Sequence, residues 1–161
     1  MLQSDLVHLS IFRGLTDVQF AALDCFLELC CYNRDIVIFE QDQATSYFYI
    51  LLKGEVIIRH KPYDGPEITV AHIYPGDVFG WSAALGKDTY TSEAIAVEQI
   101  RAFRLDHHDL QTLQKNDPDV CAVFLERLSN VIAERVRNTH DEVLSILNNS
   151  IGSNAQIIEE L

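Results

Sequence analysis

The sequence predicts an α+β chain: an antiparallel β jelly-roll barrel with an N-terminal helix and a long C-terminal dimerisation helix. Three observations predict it. Apolar residues recur at a helical period before residue 33, short β-branched and aromatic runs broken by Gly, Pro, Asp and Asn fill Arg34 to Leu105, and the helical period returns at Asp106. These shifts divide the chain into a helical segment over 1–32, a β core over 33–105, C-terminal helices over 106–149 and a short tail over 150–161.

In "LTDVQFAALDCFLELC" the apolar residues Val18, Ala22, Cys25, Phe26 and Leu29 follow a helical period, and Thr16 or Asp17 is available as the cap. The runs "DIVIFE", "SYFYILLKGEVIIRH", "EITVAHI" and "EAIAVEQIRAFRL" then have strand composition, and their spacing suits a barrel or jelly roll. "HKPYDGPEI" sets an Asp-Gly step between two of them, a hairpin signal. Asp106 starts an acidic helix opening, "DHHDLQTLQ", and Pro118 opens a second helix at a position where its missing N–H costs nothing.

That second helix is the long one. Its stripe reads Phe124, Leu128, Ile132, Val136, Val143 and Leu147, interrupted by Thr139, and it is expected to stop between Asn148 and Gly152. About thirty residues at ~1.5 Å each reach roughly 45 Å, farther than a domain this size, so the far end needs a partner. A second copy in a parallel two-fold homodimer supplies one; a helix folded back on its own barrel is the other solution.

With 161 residues, 48% of them hydrophobic, the chain can bury one core. No apolar run approaches the roughly 20 residues that cross a bilayer, and "MLQSDLVHLS" has no signal-peptide pattern, so a cytosolic protein without a membrane partner is expected. A net charge of −12 repels phosphate backbones and argues against a nucleic-acid partner. Cys25, Cys30, Cys31 and Cys121 lie in apolar sequence and read as core, the alternative being a metal site of unusual spacing. His107-His108 reads as an exposed pair, because adjacent helical residues point in different directions, and the sequence does not place His60 and His72. No nucleophile elbow, P-loop or metalloprotease spacing is found, so no enzyme is expected.

The stretch "GDVFGWSAALGKDTY", Gly76 to Tyr90, has the shape of an anion cradle: a turn, two glycines and a short helix of small residues. Together with "YFYILLKGEVIIRH", whose Tyr49, Leu51, Gly54 and Val56 fit a "YxIxxGxV" pattern, and with "PGDVFG" at Pro75 to Gly80, it resembles the cyclic-nucleotide-binding domain of catabolite activator proteins and of regulatory subunits of cyclic-nucleotide-dependent kinases. The resemblance runs from about Phe12 to Leu147 and takes in the helix "RLSNVIAERVRNTHDEV", similar to the family's dimerising helix. It implies a phosphate cassette in which Phe79, Gly80, Trp81, Ser82, Ala83 and Ala84 present backbone N–H groups to a cyclic phosphate, with Thr91 and Ser92 on the next strand and Thr139 and His140 reaching the base. Cyclic AMP or another cyclic nucleotide is the implied ligand, and no other cofactor is implied.

Two positions depart from the family's pattern. Its glutamate after Phe-Gly, which accepts from the ribose, is Trp81 here, and its phosphate-pairing arginine is Tyr90. A charged hydrogen bond is worth about 1.5–3 kcal/mol, so each loss weakens cyclic AMP binding roughly ten- to a hundredfold. Lys87 either bends back to the phosphate or stays solvated. Trp81 either covers the emptied ribose pocket or, with Tyr90, forms flat walls for a planar anion. Asp35 and Asp42 stand where the family has turn glycines, positions at which Asp tolerates a left-handed backbone.

The expected function is a stand-alone, dimeric, non-catalytic sensor that holds a small anionic ligand and passes its output to a separate protein partner. The chain has fewer than twenty residues after Val143, whereas the DNA-binding module of the family's transcription factors takes on the order of sixty, so DNA binding in that manner is not expected. A ligand-free interaction scaffold with a vestigial pocket is the competing class, and a metal or redox sensor the third.

Overall fold

The eight antiparallel strands of the described residues fall into two four-stranded sheets rather than closing into one barrel. The computed structural model describes residues 9–159, with side chains described up to Arg137 and, beyond it, for Asp141, Leu144, Ser145, Leu147 and Asn148. Strands β1 (Glu28–Tyr32), β3 (Tyr47–Lys53), β6 (Val78–Phe79) and β8 (Ile100–Asp106) form one sheet in the order β1-β8-β3-β6. Strands β2 (Val37–Phe39), β4 (Val56–His60), β5 (Ile68–Ile73) and β7 (Glu93–Ala96) form the other in the order β2-β7-β4-β5. Helices α1 (Asp17–Asp24), α2 (His107–Asn116) and α3 (Pro118–Glu159), with a 3-10 turn at Ser10–Phe12, complete the chain. The architecture is a jelly-roll-like sandwich of α+β class.

Alternation along β3 explains the layers. Phe48 and Ile50 join Phe103, Leu105 and Val78 in a core shared with Leu23, Leu110, Leu113, Phe124 and Leu128 of the helices. Tyr49 and Leu51 point the other way, into a second core between the sheets with Phe39, Val56, Phe79, Tyr90 and Ile100. Successive strand residues face opposite sides, so a strand covered on both faces reads as an unbroken apolar run, as "YFYILL" does. Three alanines, Ala94, Ala96 and Ala102, let the sheets approach around the aromatic rings.

Local signals set most boundaries. Thr16 caps α1 with a full capping box, its Oγ1 accepting from the Gln19 N–H at 3.2 Å while Gln19 Oε1 accepts from the Thr16 N–H at 3.0 Å. Asp106 caps α2 by accepting from the His108 N–H at 2.8 Å. Asp35 and Asp42 adopt φ of 68° and 67°, the left-handed turn conformation expected of them. The hairpin around Asp64-Gly65 joins β4 to β5, with His60 paired to Ile68.

Four expectations are corrected. The segment 1–32 is not wholly helical: α1 ends at Asp24 and β1 begins at Glu28. The buried face of α1 is Phe20 and Leu23, while Val18 is 80% exposed. Of the cysteines only Cys121 is buried; Cys30 is half-buried, and Cys25 and Cys31, in a turn and on the outer face of an edge strand, are exposed. The long helix does not stop at Asn148 to Gly152 but runs to Glu159, through the predicted tail. One glycine costs a helix only about 1 kcal/mol relative to alanine, too little to end it.

Candidate functional site

The cassette begins where β6 ends. Gly80 has φ +70°, and a Cβ there would lie 3.0 Å from the Tyr47 carbonyl oxygen and 3.2 Å from the Phe39 ring. Close approach to β3 and the inter-sheet core, together with the positive φ, favours glycine here. The small residues after it form a succession of turns rather than the regular short helix expected. The Ala83 N–H donates to Gly80 O at 3.2 Å, Leu85 to Trp81 O at 3.0 Å and Lys87 to Ser82 O at 3.0 Å, steps of three, four and five residues. The N–H groups of Trp81, Ser82 and Ala84 have no acceptor among the described residues.

Beside these turns lies a cavity of about 490 Å³. Phe79, Gly80, Trp81 and Ser82 line it on the cassette side, Tyr90, Thr91 and Ser92 on the approach to β7, and Ile58, Val70 and Ala71 on β4 and β5. Arg135 and Val136 of α3 complete the wall. A small-molecule site occupies about 300–1,000 Å³, so the cavity has the size of one, with Trp81 in its wall.

The predicted residues divide three ways. Phe79 to Ser82 and Tyr90 to Ser92 meet at the cavity. Ala83 is buried in the protein and Ala84 packs on the helix-side core, so neither lines it. Thr139 and His140 lie on α3, as does Val143 of the stripe, with side chains outside the described residues. Lys87 is exposed and is not among the residues lining the cavity.

Tyr90 is 2% exposed and stacks on Phe39 with ring centroids 3.8 Å apart. Its hydroxyl donates to Tyr47 O at 2.7 Å and accepts from the N–H groups of Tyr47 at 3.0 Å and Ser46 at 3.2 Å. Burial raises its pKa, with the two N–H bonds acting in the opposite direction. The ring is a wall of the cavity, and the hydroxyl is committed to the backbone.

The cation at this site comes from the helix, not the cassette. Arg135 donates through Nη1 and Nη2 to Val78 O at 2.7 and 2.8 Å, and its guanidinium carbon sits 5.8 Å from the centre of the Trp81 ring. Burial lowers its pKa, opposed by the charge of Asp77. Sequence reading passed over Arg135 because a charged helical residue usually marks the solvated face. The available signal was its spacing, three residues after Ile132 and adjacent to Val136, at the flank of the apolar stripe.

Other candidates stand apart from this site. His60 Nδ1 lies 2.9 Å from Thr91 O and His72 Nδ1 2.7 Å from Glu55 Oε1, so the two do not face each other. The His107 and His108 rings pack with centroids 3.9 Å apart beside Asp106, and of the expected exposed pair only His108 is exposed, His107 being half-buried. No described helix is long and apolar enough to cross a membrane.

Comparison with known proteins gives a consistent picture. The cyclic nucleotide-binding domain family model matches residues 30–117. The chain is 26% identical over 142 residues to the CRP-like cAMP-activated global transcriptional regulator of Mycobacterium tuberculosis, covering 88% of this chain and 62% of that protein, so it spans less than two thirds of its relative's length. Among solved structures it resembles a cyclic nucleotide-binding domain from Methylobacillus flagellatus with a TM-score of 0.79 at 19% identity, covering 89% of this chain and 84% of that one. The catabolite activator protein of Thermus thermophilus matches with a TM-score of 0.68 at 24% identity, covering 86% and 63%.

Proposed function

This chain belongs to the cyclic nucleotide-binding domain family, and from that premise we infer that it is a non-catalytic sensor module whose pocket is coupled to a dimerising helix. The observation that carries this reading is the shared wall of the cavity: cassette residues on one side, Arg135 and Val136 of α3 on the other. A small anionic ligand entering there meets both elements at once. Because Arg135 is also bonded to Val78 O at the start of the cassette, any ligand that draws the guanidinium inward changes how α3 is held against β6. The two copies of α3 in a homodimer then carry the change to a separate protein partner.

One observation favours the competing reading, a ligand-free interaction scaffold. The residue in place of the family's phosphate-pairing arginine, Tyr90, has its hydroxyl spent on Ser46 and Tyr47, so it offers nothing to a phosphate.

The two readings separate in one experiment. Amide hydrogen exchange over residues 128–140 is followed while the protein is titrated with cyclic AMP, cyclic GMP, cyclic di-GMP and 1-anilinonaphthalene-8-sulfonate, with melting temperature recorded in parallel. A compound that raises the melting temperature and alters exchange along α3 supports the sensor. A compound that binds in the cavity and leaves α3 unchanged sinks the coupling, and silence with every compound supports the scaffold.

A further inference from the structure

We propose that the ligand of this cavity is a flat, apolar-bodied monoanion without a sugar, of the aryl sulfonate or aryl carboxylate class, rather than a cyclic nucleotide. This rests on the sensor reading above and names the chemistry that its site selects.

Four observations carry it. No aspartate or glutamate is among the described residues lining the cavity, although the chain carries 24 of them, so none of these offers a carboxylate to accept from ribose hydroxyls. A polyol placed here would give up hydrogen bonds to water without replacement, a costly exchange. The walls are instead Ile58, Val70, Ala71 and Val136 with the Trp81 and Tyr90 rings, surfaces that favour an apolar, planar body.

Charge is read at one end only. Among the described lining residues Arg135 is the one that carries a positive charge, and it lies over the Trp81 ring. Ser82 is the second reader. It is only 6% exposed, it lines the cavity, and neither its hydroxyl nor its N–H has a hydrogen-bond partner among the described residues. Its hydroxyl opens on the cavity, free to donate to an anion's oxygen. A single oxyanion facing Arg135 and Ser82, with an aromatic body lying against Trp81, uses each of these groups. A cyclic phosphodiester would meet the same two groups at its phosphate, but its ribose would face Trp81.

The test uses 1-anilinonaphthalene-8-sulfonate and its uncharged analogue N-phenyl-1-naphthylamine, which has the same ring system without the sulfonate, both followed by fluorescence. The sulfonate is expected to bind with one-to-one stoichiometry, and cyclic AMP and cyclic GMP at equal concentration are expected not to displace it. Arg135→Gln should weaken the sulfonate by about tenfold or more while leaving the neutral analogue within about twofold. Ser82→Ala gives the same split on a smaller scale and keeps the test valid if Arg135→Gln fails to fold. Trp81→Ala should weaken both probes.

Displacement by cyclic AMP or cyclic GMP overturns the proposed ligand class and leaves the sensor reading standing. Sulfonate binding that none of the variants changes places the dye on an exposed apolar face and overturns the proposal. Absence of cavity binding by dyes and nucleotides alike, with α3 exchange unchanged, overturns the sensor reading as well.

Discussion

Tyr90 shows how a substituted ligand position is put to structural use. Its ring stacks on Phe39, and its hydroxyl ties together the start of β3 by three hydrogen bonds to Ser46 and Tyr47. Tyr90→Phe keeps the stacking on Phe39 but leaves half-buried backbone groups without that partner, so a loss of about 1–3 kcal/mol in unfolding free energy is expected. Urea unfolding measures it, with the midpoint falling and the slope unchanged; a midpoint equal to that of the native protein would mean the hydroxyl anchors nothing. Tyr90→Arg is expected to destabilise further, since a guanidinium would enter a site only 2% exposed with no carboxylate among the described residues lining the cavity beside it. Tyr90→Arg is therefore expected not to restore phosphate binding, which a titration of the variant with cyclic AMP checks.

Elements whose signal is local were legible in the sequence, and those that depend on distant partners were not. The capping box at Thr16, the Asp106 cap and the positive-φ aspartates are short-range chemistry, and each stands where the residues indicate. Strand β1 is different: "LDCFLELCCY" keeps a helical spacing through Leu29, and only pairing with the distant strand β8, Glu28 to Arg104 and Tyr32 to Ile100, makes it a strand. Trp81 and Ser82 were legible from the cassette pattern, whereas Ile58, Val70 and Arg135 reach the cavity from β4, β5 and α3 by tertiary folding alone. The β1–β8 pairing has its own test. Cys30 sits opposite Ala102 and its thiol donates to Ala102 O at 3.3 Å; burial, opposed by Arg104, pushes its pKa up from 9.0 to about 11. Below about pH 9 the thiol is protonated in folded and unfolded chains alike, so its contribution is full there. Between pH 9 and 11 the unfolded chain loses the proton first, and stability falls as pH rises through the folded value. Cys30→Ala removes that dependence, so the stability difference between the native protein and this variant, measured by urea unfolding, is expected to shrink from pH 8 to pH 10.5. A difference that stays constant across this range would place the thiol in solvent.

For the whole molecule the question is what covers α3. The helix has 42 residues, about 63 Å at ~1.5 Å per residue, and the protein's own core buries only its first turns, through Leu128 with Ile132 at the margin. Farther along, Val136 is 56% exposed, Leu144 44% and Leu147 52%, at intervals of eight and three residues that keep them on one side. An exposed apolar seam on a long helix is the geometry a second copy of the same helix fits, and a parallel pairing brings the two cavities to the same end of the dimer. Each copy carries a net charge of −12, so the seam has to hold against mutual repulsion. That sets the direction of the salt effect: screening weakens the repulsion and leaves the apolar contact, so raising sodium chloride from about 20 to 300 mM is expected to tighten the dimer, the reverse of an interface held by ion pairs. Sedimentation equilibrium at the two salt concentrations reads this directly. Leu144→Glu with Leu147→Glu adds charge to the seam outside both cores, and is expected to yield a monomer whose sandwich still melts cooperatively. A native chain that is monomeric at about 100 μM in high salt would remove the dimer from the proposed mechanism, and with it the route by which a ligand at Arg135 in one copy reaches the other.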